Sequence, residues 1–154
     1  PDVMTLGKAL GAGAPLGAFA SKDFCSVLEP GDHGSTFGGN ALSTAAGAAA
    51  AKFIVDNNVP ALASTGGAYL TAKLTQLAEK YSFISDIRGL ELLIGVEMTK
   101  EIAAPTVQEC LGNGLLINAV RPNMLRFMPP LNVTEKEIDE AIQILDTSLA
   151  NTSK

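Results

Sequence analysis

Lys8 stands alone among small residues in Thr5-Leu6-Gly7-Lys8-Ala9-Leu10-Gly11-Ala12-Gly13-Ala14-Pro15-Leu16-Gly17. A lysine with room around it can lose its proton, act as a nucleophile and form a Schiff base with a carbonyl. Downstream, His33-Gly34-Ser35-Thr36-Phe37-Gly38-Gly39-Asn40 sets hydroxyls and amides in a glycine-rich loop, a chemistry suited to phosphate. Arg126 lies inside the apolar run Leu125-Arg126-Phe127-Met128-Pro129-Pro130-Leu131. A guanidinium there is costly to bury unpaired, and a carboxylate is its natural bidentate partner. Amine, phosphate cradle and carboxylate clamp together suit an enzyme that holds a phosphorylated aldehyde and acts on an acid.

Each residue also has a plainer reading. Lys8 reads equally as a surface lysine in a loop, and Ser35-Thr36 as a simple Ser/Thr turn. Arg126 reads as the wet-face residue of a strand with period two. Arg88, before Gly89, reads as structural. His33 is the single histidine and has no partner pattern for a metal site. The tract Gly11-Ala12-Gly13-Ala14-Pro15-Leu16-Gly17 fails as a dinucleotide fingerprint. Its last glycine is one residue late, and Pro15 removes a donor where a helix should begin.

The elements that must position these residues follow from pattern. Val3–Leu6 is predicted as a strand ending at the Lys8 loop, and Ala18–Ala20 as the next. Lys22–Leu28 reads as a helical turn closed by Glu29-Pro30-Gly31-Asp32. Asn40 suits the N-cap of a helix reaching about Val55, so rich in Ala and Gly that another element can approach its backbone. A second helix over 61–81 repeats Leu70, Leu74, Leu77 and Tyr81 on one face, with Gly66-Gly67 weakening it by about 1 kcal/mol each. Phe83–Arg88 and Leu92–Met98 read as a hairpin around Gly89, and Thr106–Gly112 as a short helix. Leu115–Val120 and Met124–Met128 read as strands joined by Arg121-Pro122-Asn123. Thr134 with Glu137 makes a capping box for a last helix whose stripe is Ile138, Ala141, Ile142, Leu145 and Leu149. A change of composition near Asn57–Pro60 divides the chain into 1–58 and 59–154.

With 154 residues and 47% hydrophobic content the chain can bury a core. A net charge of −5 without a Lys/Arg cluster argues against nucleic acid and anionic membrane as partners. Cys25 and Cys110 lack metal spacing and are expected as free buried thiols. The Pro1-Asp2-Val3-Met4 start reads like the middle of a strand, which predicts the C-terminal piece of a longer protein.

Taken together, the segments resemble the class III aminotransferases of the fold-type I pyridoxal-phosphate (PLP) superfamily. The resemblance rests on Pro1–Gly11 with Pro15-Leu16-Gly17-Ala18, on His33–Asn40, and on Ile87-Arg88-Gly89 with Leu92-Leu93-Ile94-Gly95. It continues through Gly114-Leu115-Leu116-Ile117-Asn118 into Leu125–Leu131. It implies an α/β fold: the end of a large PLP-binding domain, then a small α+β C-terminal domain. Within the class the chain looks most like the acetylornithine aminotransferases of arginine biosynthesis. Ornithine, succinylornithine and 4-aminobutyrate aminotransferases share much of the pattern.

The resemblance implies roles for individual residues. Lys8 would hold pyridoxal 5'-phosphate and shuttle the substrate proton. Thr36, with Ser35 beside it, would reach the PLP phosphate of the other subunit in a homodimer. Arg126 would bind the α-carboxylate of an amino acid or of 2-oxoglutarate. The implied protein is cytoplasmic, with no metal. Two departures from the family pattern stand out: Leu90-Glu91 replaces a basic or polar residue followed by glycine, and Ala41 replaces proline. The family's pyridine-nitrogen aspartate, phosphate-binding glycine loop, stacking aromatic and second substrate arginine are expected before Lys8, outside this chain. The chain alone is therefore expected to have little transaminase activity, and the alternative reading is a non-catalytic fragment with only the assembly or binding function of the small domain.

Overall fold

The computed structural model describes residues 1–153. The chain divides into two compact units, Pro1–Asn58 and Val59–Lys154.

The first unit opens with strands β1 (Val3–Leu6) and β2 (Ala18–Ser21), paired antiparallel with Val3 opposite Ser21 and Leu6 opposite Ala18. Between them Lys8–Gly11 forms one turn of 3-10 helix. Helical structure after β2 is limited to Asp23–Cys25, shorter than the segment expected to reach Leu28. Helix α1 (Ala41–Asp56) starts where Asn40 predicts: the Asn40 side chain accepts from Ser43 N at 3.0 Å and donates through Nδ2 to Phe37 O. The helix packs on the Lys8 turn through Gly47, where an added Cβ would press into Leu16 and lie 3.3 Å from Leu10 O. Cys25 is free but only half-buried, against the expectation of burial. Among the described residues no hydrophobic side chain before Val59 is buried.

The second unit holds the core. Helix α2 (Val59–Lys80) begins two residues before its expected start, with Pro60 in its first turn, where no intrahelical donor is needed. Strands β3 (Ile84–Leu90), β4 (Leu93–Met98), β5 (Asn118–Arg121) and β6 (Met124–Phe127) form an antiparallel sheet in the order β3-β4-β6-β5. The first hairpin turns at Glu91-Leu92 rather than at Gly89, which lies within β3 opposite Ile94. Helix α3 (Ala103–Gly112) also starts before its expected position, because Pro105 falls in its first turn. The strand expected from Leu115 begins only at Asn118, and Arg121 belongs to it rather than to the turn.

Helix α4 (Glu135–Thr152) carries the expected capping box, with Thr134 and Glu137 satisfying each other's backbone amides. Its Ile138, Leu145 and Leu149 are buried with Leu70, Leu74 and Leu77 of α2 against Ile94, Val96, Met98, Leu125 and Phe127 of the sheet. Alternation does the sorting, as one sheet face goes to the helices and the other stays open. Cys110 is fully buried in α3, and desolvation there pushes its thiol pKa up. No helix among the described residues is long and apolar enough to cross a membrane.

Candidate functional site

Lys8 sits in the first unit at φ +53, a left-handed conformation rare for a residue with a side chain. Leu10 N donates to Gly7 O and Ala12 N to Ala9 O, so the turn holds Lys8 from both sides. Helix α1 packs closely against the turn at Gly47, which has room for no side chain there. The Lys8 side chain is exposed, and no acceptor engages its Nζ among the described residues. A strained backbone presenting an unengaged amine is the kind of outlier from which a functional reading can start.

Ser35 and Thr36 lie in the exposed loop before α1. Ser35 Oγ accepts from Gly38 N at 3.0 Å, so the Ser/Thr turn is real and uses one lone pair. Its proton remains available to a ligand. Thr36 keeps its hydroxyl unpartnered among the described residues, and Gly39 takes φ +66 just behind it. His33 is exposed, and no cluster of metal-ligating side chains occurs among the described residues.

Arg126 lies in the second unit on β6, on the sheet face opposite the core. Its neighbours Leu125 and Phe127 are buried and it is half-buried, so the period-two reading of this strand holds. Its Nε donates to Asn118 Oδ1 at 3.1 Å. Strand register sets one row across the sheet: Arg88 on β3, Gly95 on β4, Arg126 on β6 and Asn118 on β5. Arg88 is occupied by Asp86 and by Glu97, the latter at 2.6 Å; both hydrogen bonds, Asp86's the larger, push its pKa further up. Arg126 has no carboxylate partner among the described residues. Gly95, between the two arginines, has no side chain, and the end of the Met124 side chain lies against it. The result is an open concavity of about 370 Å³ lined also by Leu90, Leu93, Val120, Arg121 and Met124. A free guanidinium beside apolar walls can bind a carboxylate through its two Nη groups.

The residues fit the cofactor that the resemblance implies in their donor set: an unengaged primary amine for an aldehyde, and Ser35 and Thr36 hydroxyls for a phosphate. Asn118 and Gly95 drew no separate notice in the sequence. The alternation of β6 was the available signal, since it puts Arg126 on the open face, but the partner strands were not visible.

The chain matches the class III aminotransferase family over residues 1–149. It is 47% identical to an acetylornithine aminotransferase of Caldanaerobacter subterraneus, over 97% of this chain and 38% of that protein. It is 42% identical to that of Clostridium acetobutylicum over 97% of this chain and 39% of the relative. Two solved structures share the fold: a Plasmodium falciparum ornithine δ-aminotransferase, with TM-score 0.90, 31% identity and 99% of this chain on 41% of the other, and an Elizabethkingia anophelis acetylornithine aminotransferase, with TM-score 0.89, 30% identity and 98% on 39%. The chain thus spans about two fifths of the length of the proteins it matches. Sequence and fold agree over nearly all its residues, and the chain belongs to the class III aminotransferases.

Proposed function

We propose that this chain supplies the cofactor lysine and a substrate-carboxylate arginine of a PLP-dependent transaminase. The reaction is transfer of the δ-amino group of N-acetylornithine to 2-oxoglutarate, giving N-acetylglutamate semialdehyde and glutamate. The observation that carries the reading is Lys8: an unengaged amine on left-handed backbone, in a turn pinned by α1. The choice of donor rests on the acetylornithine aminotransferases that match it at 47% and 42% identity. In this reading residues 1–58 belong to a large PLP-binding domain and residues 59–154 form the small C-terminal domain. The working unit is a cytoplasmic homodimer.

Lys8 would hold the aldehyde end of PLP, and Ser35 and Thr36 the phosphate of the PLP bound by the other subunit. When bound, PLP supplies the electron sink that stabilises the carbanion of amino transfer. Lys8 Nζ would take the proton from the amine-bearing carbon of the substrate and deliver it to the carbon that carried the aldehyde. Arg126 would fix the substrate's carboxylate end in one orientation.

Denaturing mass spectrometry after PLP addition and borohydride reduction tests this reading. A pyridoxyl adduct on Lys8, absent from Lys8→Ala, is expected. An adduct spread over the other lysines, or unaffected by Lys8→Ala, overturns it.

A further inference from the structure

We infer that Asn118 is a positioning residue for Arg126. It holds the guanidinium by Nε so that both Nη groups face an incoming α-carboxylate. The inference rests on the reading of Arg126 given above and extends it to a residue with no assigned role.

The geometry carries it. Among the described residues the Arg126 side chain makes one hydrogen bond, Nε to Asn118 Oδ1 at 3.1 Å, which leaves both Nη groups to an end-on carboxylate. An asparagine can do this where an aspartate cannot, because a neutral amide oxygen orients the cation without neutralising it. The other arginine of the row is disposed of in the opposite way: Arg88 is paired with Asp86 and Glu97, so it does not compete for an anion.

The register shows that the contact is built. At the β5–β6 turn Arg121 faces Met124, which would set Ala119 opposite Arg126 if pairing continued evenly. Instead an irregularity between Ala119 and Arg121 shifts the ladder by one residue, and Asn118 faces Arg126. Bulges are costly interruptions that concentrate where a side chain must be re-aimed. Here the side chain that is re-aimed is Asn118. It is exposed on the edge strand and takes no part in the core, so fold stability does not call for it.

The test uses the full-length PLP-loaded enzyme and two acceptors that differ by one group: 2-oxoglutarate, and succinic semialdehyde, which lacks the α-carboxylate. Loss of one hydrogen bond to a charged group corresponds to about tenfold in binding. Asn118→Ala is therefore expected to raise KM for 2-oxoglutarate about tenfold, with kcat within about twofold. KM for succinic semialdehyde should not move. Arg126→Ala, run alongside, should raise KM for 2-oxoglutarate further. If Arg126→Ala raises it and Asn118→Ala does not, the positioning role is wrong while the arginine's role stands. If Asn118→Ala weakens both acceptors equally, the residue acts through the fold, and the inference is overturned. If Arg126→Ala changes neither, the carboxylate reading fails and takes the inference with it.

Discussion

The backbone of Glu91 lies directly against Gly67. A Cβ on Gly67 would sit 2.5 Å from Glu91 Cα and closer still to its carbonyl group. Glu91 is itself at φ +52, the first position of the two-residue turn between β3 and β4, where glycine is the ordinary occupant. Ser64 Oγ, one turn before Gly67, donates to Glu91 Oε1 at 2.8 Å and helps keep the strained residue in place. Gly67→Ala is expected to destabilise the second unit by about 2 kcal/mol, because backbone cannot step aside as a side chain can. Helix propensity alone would make the same change favourable by about 1 kcal/mol. Urea unfolding separates the two, and a gain in midpoint would show that the turn yields freely.

The α2–α4 contact should weaken in acid. Tyr69 Oη donates to both oxygens of Asp139, at 3.0 and 3.2 Å, and Lys73 pairs with it at 2.7 Å. Tyr81 Oη donates to Asp146 Oδ1 at 2.6 Å, and Lys80 pairs with it at 2.7 Å. Lys73 first and then Tyr69 hold Asp139 below its ordinary 3.8, and Lys80 first and then Tyr81 do the same for Asp146. A depressed folded-state pKa gives stability that is present above the unfolded value and lost as pH falls through the folded one. These pairs therefore contribute a flat profile from neutrality to about pH 5 and a falling one below about pH 4. Both lysines are shifted up by the same carboxylates, so their share persists to 10.5 and is lost above it. Replacing Asp139 and Asp146 together by Asn should lower the urea midpoint at pH 7 and shrink its fall between pH 5 and 3. An undiminished acid fall would place the titration elsewhere.

Lys8 is predicted to be worth more to chemistry than to folding. A side chain at φ +53 costs about 1 kcal/mol relative to glycine. Lys8→Gly should slow amide exchange at Leu10 and Ala12, which donate within this turn, by about fivefold, while abolishing the reducible PLP adduct. Faster exchange in the variant would mean that the lysine stem supports the turn.

Local chemistry was the most legible layer of the sequence. Asn40 and the Thr134–Glu137 box announce their helices because caps are read from adjacent residues. The hairpin of β3 and β4 was visible from its apolar runs, but its turn was misplaced. Gly89 looks like a turn glycine, yet it is needed in the strand, where a Cβ would lie 2.8 Å from Ile94 Cα. Gly66-Gly67 registers in sequence only as a weakness of a helix, since the backbone that Gly67 admits is far along the chain. Arg126 could be singled out as costly in an apolar strand. Its bond to Asn118 could not, because it depends on a one-residue slip in register that leaves no trace in composition.

The hydrophobic cluster of this chain draws all its buried side chains from Ala63 to Leu149. A melting curve of residues 1–154 taken alone will therefore report on the unit that carries Arg126 and stay nearly silent about the unit that carries Lys8. Thermostability and cofactor capture become separable traits. Heat selection applied to these 154 residues alone would accumulate changes around the sheet and leave the lysine turn free to drift.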